Sequence, residues 1–248
     1  MRVLVTGHKG FIGSHVYDYI KSLGYKVTGI DFPVDIANFG EYDDLYEPKF
    51  DVVIHLAAFA ALRESLEDPD KFWENNVEKS RPIFDYCSKW NIRLLYASSA
   101  GAYEWWRNPY ATTKKVNEVM APPNSVGMRF FNVWSEKDSR KDMLYRMLQE
   151  DNAKYLTRHK RDWIHVNDVV TAICHLIPST IVGTVDVGTG QTVSVLELAE
   201  KMGMGHLPIK EDTPGEPDTL CADPSELYSL GWCPTINILD AIEPYETR

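Results

Sequence analysis

Short apolar runs rich in β-branched residues recur along the chain, each followed by a stretch with helical spacing. RVLVT (2–6) ends at GHKGFIGSH, and Ile12, Val16, Ile20 and Leu23 then fall on one helical face that Gly24 terminates. YKVTGID (25–31), DVVIHLAA (51–58), IRLLYAS (92–98) and SVGMRFFNV (125–133) repeat the strand type. These runs are continuous more than alternating, the pattern of strands covered by helices on both faces. Alternation of strand and helix predicts an α/β fold with an open, mostly parallel sheet and right-handed crossovers. Between Asp31 and Asp51 only a short helical stretch such as EYDDLYE fits, so one crossover should be abbreviated.

After about residue 134 the pattern loosens. Helical DMLYRMLQED is followed by short strands AKYLT and WIHV, and then by helical NDVVTAICHLI. VGTVDVGTG returns to strand and VSVLELAEKMG to helix, before a turn-rich tail with PGEPD and DPSELYSLGW. We expect a sheet domain over 1–135, to which 167–190 returns, and a small lobe from 136–166 and 191–248 packed over one end of the sheet. Pro82 falls inside an expected helix at 71–90. An interior proline removes a hydrogen bond and costs about 3 kcal/mol or more, which predicts a kink near residues 78–82.

The 248 residues carry a net charge of −10 and 44% hydrophobic content, ordinary for a folded protein and unsuited to general nucleic-acid binding. A phosphorylated small molecule is still compatible, because a few local arginines can override the global sign. Four dispersed cysteines without a C-x-x-C pair suggest free thiols in a reducing cytosol, and the seven histidines show no ligand spacing, so no metal is expected. A strand beginning at residue 2 leaves no room for a signal peptide, and no apolar run reaches membrane-spanning length. The expectation is a cytoplasmic protein with no membrane partner.

Two segments carry chemistry. Gly7, Gly10 and Gly13 lie on the turn from first strand to first helix, where exposed N–H groups and the helix dipole favour a pyrophosphate. Asp31 ends the second strand, where a carboxylate can accept hydrogen bonds from an adenosine ribose and would repel a 2′-phosphate, favouring NAD over NADP. The second segment is YASSAGAYEWWRNPYATTKK (96–115). Ser98 and Ser99 end a buried strand, Pro109 can start a helix, and Lys114 stands one turn from Tyr110 on the same face. A neighbouring ammonium would lower a phenol pKa that is near 10 when unperturbed, making Tyr110 a usable base, and a strand-end serine could hold the substrate oxygen. Tyr17 and Lys21 repeat the Y-x-x-x-K spacing on the first helix, but on an expected surface. His55 reads as a packing residue. Trp105 and Trp106 could be a sugar-stacking platform or a hydrophobic cover. Arg158, His159 and Lys160 could be a solvated hairpin or a phosphate clamp.

With VTGHKGFIGSH, DVVIHLAA, RESLEDP, NNV, YASSAGAY, NPYATTK, RFFNV, RDWIHVNDV, VDVGTG and PGE…ADPSE…LGW in order, the chain resembles the extended short-chain dehydrogenase/reductase family. Within it, the chain resembles the NAD-dependent sugar-nucleotide epimerase/dehydratase branch. The resemblance implies a Rossmann-type doubly wound sheet with a small, shortened C-terminal substrate lobe. It implies Ser99, Tyr110 and Lys114 as the catalytic set and NAD as cofactor. NAD would be held by Gly7, Gly10, Phe11, Ile12, Gly13, Asp31, Asp35, Ile36, Leu56, Ala57, Ala58, Asn76, Ser98, Tyr110, Lys114 and Phe130. A nucleotide-sugar substrate would meet Arg63, Ser99, Asn132 and Arg161. The resemblance also implies a homodimer built on the 71–90 and tyrosine-bearing helices. In the branch's dehydratases and decarboxylases, acidic residues follow the catalytic serine or threonine. Here Ala100, Gly101 and Ala102 stand there, which points to C4 epimerisation or simple keto-sugar reduction. Thr213 replaces an arginine that commonly helps hold the diphosphate. A non-catalytic cofactor-sensing protein on the same fold is the remaining alternative.

Overall fold

The computed structural model describes residues 1–31, 48–211 and 213–242. Asp35, Ile36 and the helix expected at EYDDLYE lie outside the described residues.

The first unit is β1 (Arg2–Thr6), α1 (Phe11–Ser22) and β2 (Lys26–Ile30). α1 stops where Gly24 takes φ 82°, a left-handed conformation that costs glycine least. β3 (Val52–His55) leads into the short helices α2 (Leu62–Glu67) and α3 (Pro69–Trp73), a π-turn at Glu74–Glu78, and α4 (Arg81–Trp90). β4 (Arg93–Ser99), a 3₁₀ segment (Ala100–Arg107), α5 (Pro109–Met120) and β5 (Ser125–Phe130) follow. The later chain supplies β6 (Asn132–Trp134), α6 (Leu144–Gln149), β7 (Lys160–His165), α7 (Val166–Leu176), β8 (Gly183–Val187), β9 (Thr192–Ser194) and α8 (Val195–Lys201). β10 (Thr219–Leu220), α9 (Ser225–Ser229) and α10 (Ile238–Ala241) complete it.

Six strands form one sheet in the order β2-β1-β3-β4-β5-β8, every neighbouring pair parallel. Parallel strands bury both faces, and β1 shows why the apolar runs are continuous. Val3 and Val5 join Val16 and Ile20 of α1 and Val169 and Ile173 of α7 on one face, while Leu4 joins Ile83, Phe84 and Tyr86 of α4 on the other. Strand order reverses between β1 and β3, so the C-terminal ends of β1, β3, β4 and β5 open on one crevice, the usual ligand position in such sheets.

A second sheet, β10-β7-β6 with β9 on β7, carries a separate core around Trp134, Tyr145, Trp163 and Leu198. The expected strand at 125–133 is divided: β5 ends at Phe130, and Asn132 already pairs with Trp163 in the second sheet. Expected strand AKYLT makes only one bridge, from Leu156 to Ile209. Asp162 joins the two sheets. Its fully buried carboxylate accepts from the Thr189 N–H and hydroxyl, both at 2.8 Å, the Gly190 N–H at 2.8 Å and the Ala222 N–H at 3.2 Å.

The expected kink near Pro82 is a complete interruption. The Lys79 N–H reaches back to the Glu74 carbonyl at 3.0 Å, closing the π-turn, and α4 begins afresh at Arg81. Pro82 therefore sits in a first turn, where its missing N–H leaves nothing unpaired, and the cost of an interior proline does not arise. Among the described residues, no helix is long and apolar enough to cross a membrane, and no group of three or more His, Cys, Asp or Glu side chains could hold a metal ion. The four cysteines are free.

Removing the Asp162 carboxylate strands several interior donors at once. Asp162→Ala is expected to lose about 3 kcal/mol of unfolding free energy, read as a lower urea midpoint at unchanged slope, with Asp162→Asn losing less.

Candidate active site

The glycine turn is a cradle with no room to spare. Gly7 takes φ +72°, and a Cβ there would lie 2.6 Å from the Ala57 backbone nitrogen; a Cβ on Gly13 would lie 1.9 Å from the Gly7 carbonyl oxygen. Glycine at both positions lets β1, β3 and the start of α1 close on one another. Gly10, the N-cap of α1, supplies no side-chain cap, so first-turn N–H groups are left for a ligand. Gly7, Gly10, Phe11, Ile12 and Gly13 all line the main cleft. Asp31 accepts the Lys9 N–H at 2.6 Å and so braces the turn. These residues fit the pyrophosphate and adenosine half of NAD.

β4 and α5 place the next group. Asn108 caps α5 by accepting the Ala111 N–H at 2.8 Å, and Pro109 fills the first turn. Lys114, 2% exposed, donates to the Ala97 carbonyl at 2.8 Å and lies 5.8 Å from the Tyr110 ring centroid. Helix is thereby pinned to strand, and Tyr110 and Ser99 both face the same cleft, with Ser99 near enough to act on the phenol's titration.

The electrostatics differ from the expectation. Burial raises the Tyr110 phenol above its usual value; Ser99 and then the Arg140 charge act in the opposite direction, and Asp142 adds to the rise. Burial, and then Arg140, push Lys114 itself down to about 7, so near neutrality it is only partly an ammonium. His55 is a packing residue: buried between the Thr6 hydroxyl at 2.7 Å and Ser80 at 2.8 Å, it is pushed down to about 3 by burial and then by the Lys114 charge.

The cleft, of about 1110 Å³, brings Leu56, Ala58, Arg63, Ser98, Ser99, Tyr110, Lys114, Phe130, Asn132 and Arg161 together along one wall system. Ala57 and Asn76 lie behind it. Ala57 donates its N–H to Thr6 at 3.3 Å, and fully buried Asn76 holds both the N–H (2.8 Å) and the carbonyl (2.9 Å) of Phe59, which does line the cleft. Neither Trp105 nor Trp106 lines the cleft. Trp105 and Trp106 are 43% and 65% exposed and stack edge-on to each other, while their neighbours Glu104 and Arg107 face the cleft.

The basic cluster divides. Arg158 pairs on the surface with Glu211, and Lys160 is exposed on β7. His159 is buried in the cleft wall: Arg161 donates to its Nδ1 at 2.7 Å, which leaves the proton on Nε2 for Thr213 at 3.0 Å. This neutral ring agrees with its pKa, which burial and then Arg161 hold below the usual value. Arg161 also donates to the Lys160 and Asp218 carbonyls.

Each acidic side chain lining the cleft among the described residues is paired: Glu64 with Lys71, Glu104 with Arg107, Asp142 with Arg140, and Glu216 with Arg63 at 3.1 Å. Arg140 and Asp142 carry no signal in the sequence, whereas His159 stands out there only within the basic cluster of Arg158, His159 and Lys160.

The family profile "NAD dependent epimerase/dehydratase family" matches residues 3–188. Protein CapI of Staphylococcus aureus is 29% identical over 231 residues, covering 71% of this chain and 69% of its own. UDP-glucuronic acid 4-epimerase from Bacillus cereus, solved with UDP-4-deoxy-4-fluoro-glucuronic acid and NAD, superposes with a TM-score of 0.84 at 23% identity, over 99% of this chain and 98% of that one. TunA, an NAD-dependent NDP-hexosamine 5,6-dehydratase of tunicamycin biosynthesis, superposes with a TM-score of 0.83 at 22% identity, over 97% and 95%. At these identities the two structures show a shared fold.

Because Arg140 repels a charge on Lys114, Arg140→Gln should let the ammonium keep its proton to higher pH. Isotope-labelled lysine NMR is expected to show the Lys114 midpoint, near 7 in the unaltered protein, moved upward; a midpoint that stays or falls would remove Arg140 from the site's electrostatics.

Proposed function

Since the chain belongs to the NAD-dependent epimerase/dehydratase family, we propose that it epimerises a nucleotide sugar at C4 by transient oxidation and re-reduction of one carbon. The observation that carries this reading is the convergence of Ser99, Tyr110 and Lys114 at the end of β4, beside a glycine cradle, in a cleft whose acids among the described residues are paired. NAD, when bound, supplies a hydride acceptor that can also return the hydride.

Ser99 holds the C4 oxygen, and Tyr110 takes its proton as the ring carbon is oxidised. Lys114 is a buried donor beneath the phenol. Burial holds the phenol up, and positive charge beside it favours the phenolate that proton removal requires. For epimerisation, the ketone then turns its other face to the cofactor and Tyr110 returns the proton. Arg161 and Arg63 are the residues we assign to the diphosphate, with Asn132 against the sugar.

Dehydration fits less well. Elimination needs an acid and a base beyond the tyrosine, and Ala100, Gly101 and Ala102 provide neither. The acids elsewhere in the cleft are held by Lys71, Arg107, Arg140 and Arg63. A reductase would use the same three residues but take its hydride from outside; a carboxylate at Asp31 supports retained NAD instead. Within the epimerase reading, the charge of Arg140, felt at both Tyr110 and Lys114, favours a sugar bearing an anionic substituent.

The test is a nucleotide-sugar panel that includes UDP-glucose and UDP-glucuronic acid. One 4-epimer pair should interconvert without net NADH, faster for the acidic sugar, and Tyr110→Phe should lower the rate about a thousandfold. Activity surviving in Tyr110→Phe would overturn the mechanism, and net consumption of NADH with a keto-sugar would favour the reductase. A homodimer through α4 and α5 belongs to the same proposal, and Val119 of α5 is 77% exposed in the single chain. Light scattering showing a monomer at micromolar concentration would remove it.

A further inference from the structure

The segment between β6 and α6 approaches the cleft with Arg140, Asp142 and Met143, yet it belongs to neither the glycine turn nor the β4–α5 unit. It is built as a tight turn. The Ser135 N–H donates to the Ser139 hydroxyl at 2.7 Å, Ser139 donates back to the Ser135 carbonyl at 2.6 Å, and the Ser135 hydroxyl donates to Asp138 at 2.7 Å.

Two histidines hold this turn from outside. His165, at the start of α7, accepts the Asn167 N–H on Nδ1 at 3.2 Å, which leaves its Nε2 proton for Glu136 at 3.1 Å. His15, on α1, meets the other Asp138 oxygen through Nε2 at 2.7 Å. His15 is also the residue on which Phe11 packs edge-on, with ring centroids 5.9 Å apart, and Phe11 lines the cleft in the first turn of α1.

An isolated surface pair of this kind contributes little, because solvent and side-chain entropy offset it. This one differs in what it joins. One end is a helix whose N-terminus forms the cofactor cradle, and the other is a hydrogen-bonded turn leading directly into Arg140. We propose that His15 is a positioning residue: through Asp138 it makes the order of residues 135–142 depend on whether NAD occupies the cradle. Fixing the first turn of α1 fixes Phe11 and His15, and the His15–Asp138 bond passes that restraint to the segment that presents Arg140 to the sugar. The coupling concerns cofactor and loop, so it does not rest on which sugar is the substrate.

Deuterium uptake of the peptide covering 135–143 tests this in cofactor-stripped and NAD-reloaded protein. In the unaltered chain, NAD should slow exchange there at least about fivefold, the lower end of coupling between two sites. In His15→Ala and in Asp138→Ala the loop should exchange at one rate with or without NAD, and His15→Gln, which keeps a donor, should restore part of the difference. A bond that only stabilised the loop would change both states alike and leave the NAD effect in place, which overturns the proposal. So does a loop in the unaltered chain that ignores NAD while the peptide covering 7–13 is protected by it. Failure of NAD to protect 7–13 would instead overturn the cofactor assignment together with this inference. Should His15→Ala not fold, Asp138→Ala carries the test, since that side chain is 47% exposed.

Discussion

A lysine nitrogen held 2.8 Å from the Ala97 carbonyl, out of contact with water, is the constraint on which the site depends. Desolvating that group is unfavourable, and burial, followed by the Arg140 charge, pushes its pKa down to about 7. What offsets it is packing around α5: Thr113 and Asn117 bury against the Asn76 region, and Asn108 caps the helix while bonding the Gly215 carbonyl. The bond from Lys114 to the Ala97 carbonyl ties α5 to β4 and so holds Tyr110 at the strand end that carries Ser99. A shift of α5 by one residue would expose an apolar face and strand the amine together.

The same economy explains how the two sheets cooperate. β4 and β5 bring the serines and Phe130 to the crevice, and two residues later, at Asn132, the chain has crossed into the second sheet. Asp162 fastens the crossing by collecting donors from the β8–β9 turn and from Ala222. Arg161 is therefore delivered to the cleft by a strand whose next residue is locked. The floor of the site and its far wall are parts of one hydrogen-bonded body.

Much of this was legible in the sequence where local patterning and local chemistry coincide. The glycine spacing, the strand-end serines and the one-turn step from Tyr110 to Lys114 are short-range features that survive without knowledge of the fold. The pairing of Arg63 with Glu216, and of His15 with Asp138, spans more than a hundred residues, and no periodicity records it. The approach of Lys114 to Tyr110 is visible in the spacing, whereas the burial that raises the phenol is not. The helical pattern runs unbroken through Pro82, although the backbone has already opened into a π-turn before it. Trp105 and Trp106 sit where a stacking platform would be useful, but a 3₁₀ segment turns them outward.

The cleft's paired carboxylates have a consequence for how it fills. An anion arriving at Arg63 or Arg140 finds each guanidinium already neutralised by a tethered carboxylate, so entry is an exchange and not an addition. A ligand that carries several negative charges at fixed spacing can release more than one carboxylate in a single event. On a molecule with a net charge of −10, such joined charges are better matched to these paired guanidiniums than separate ones.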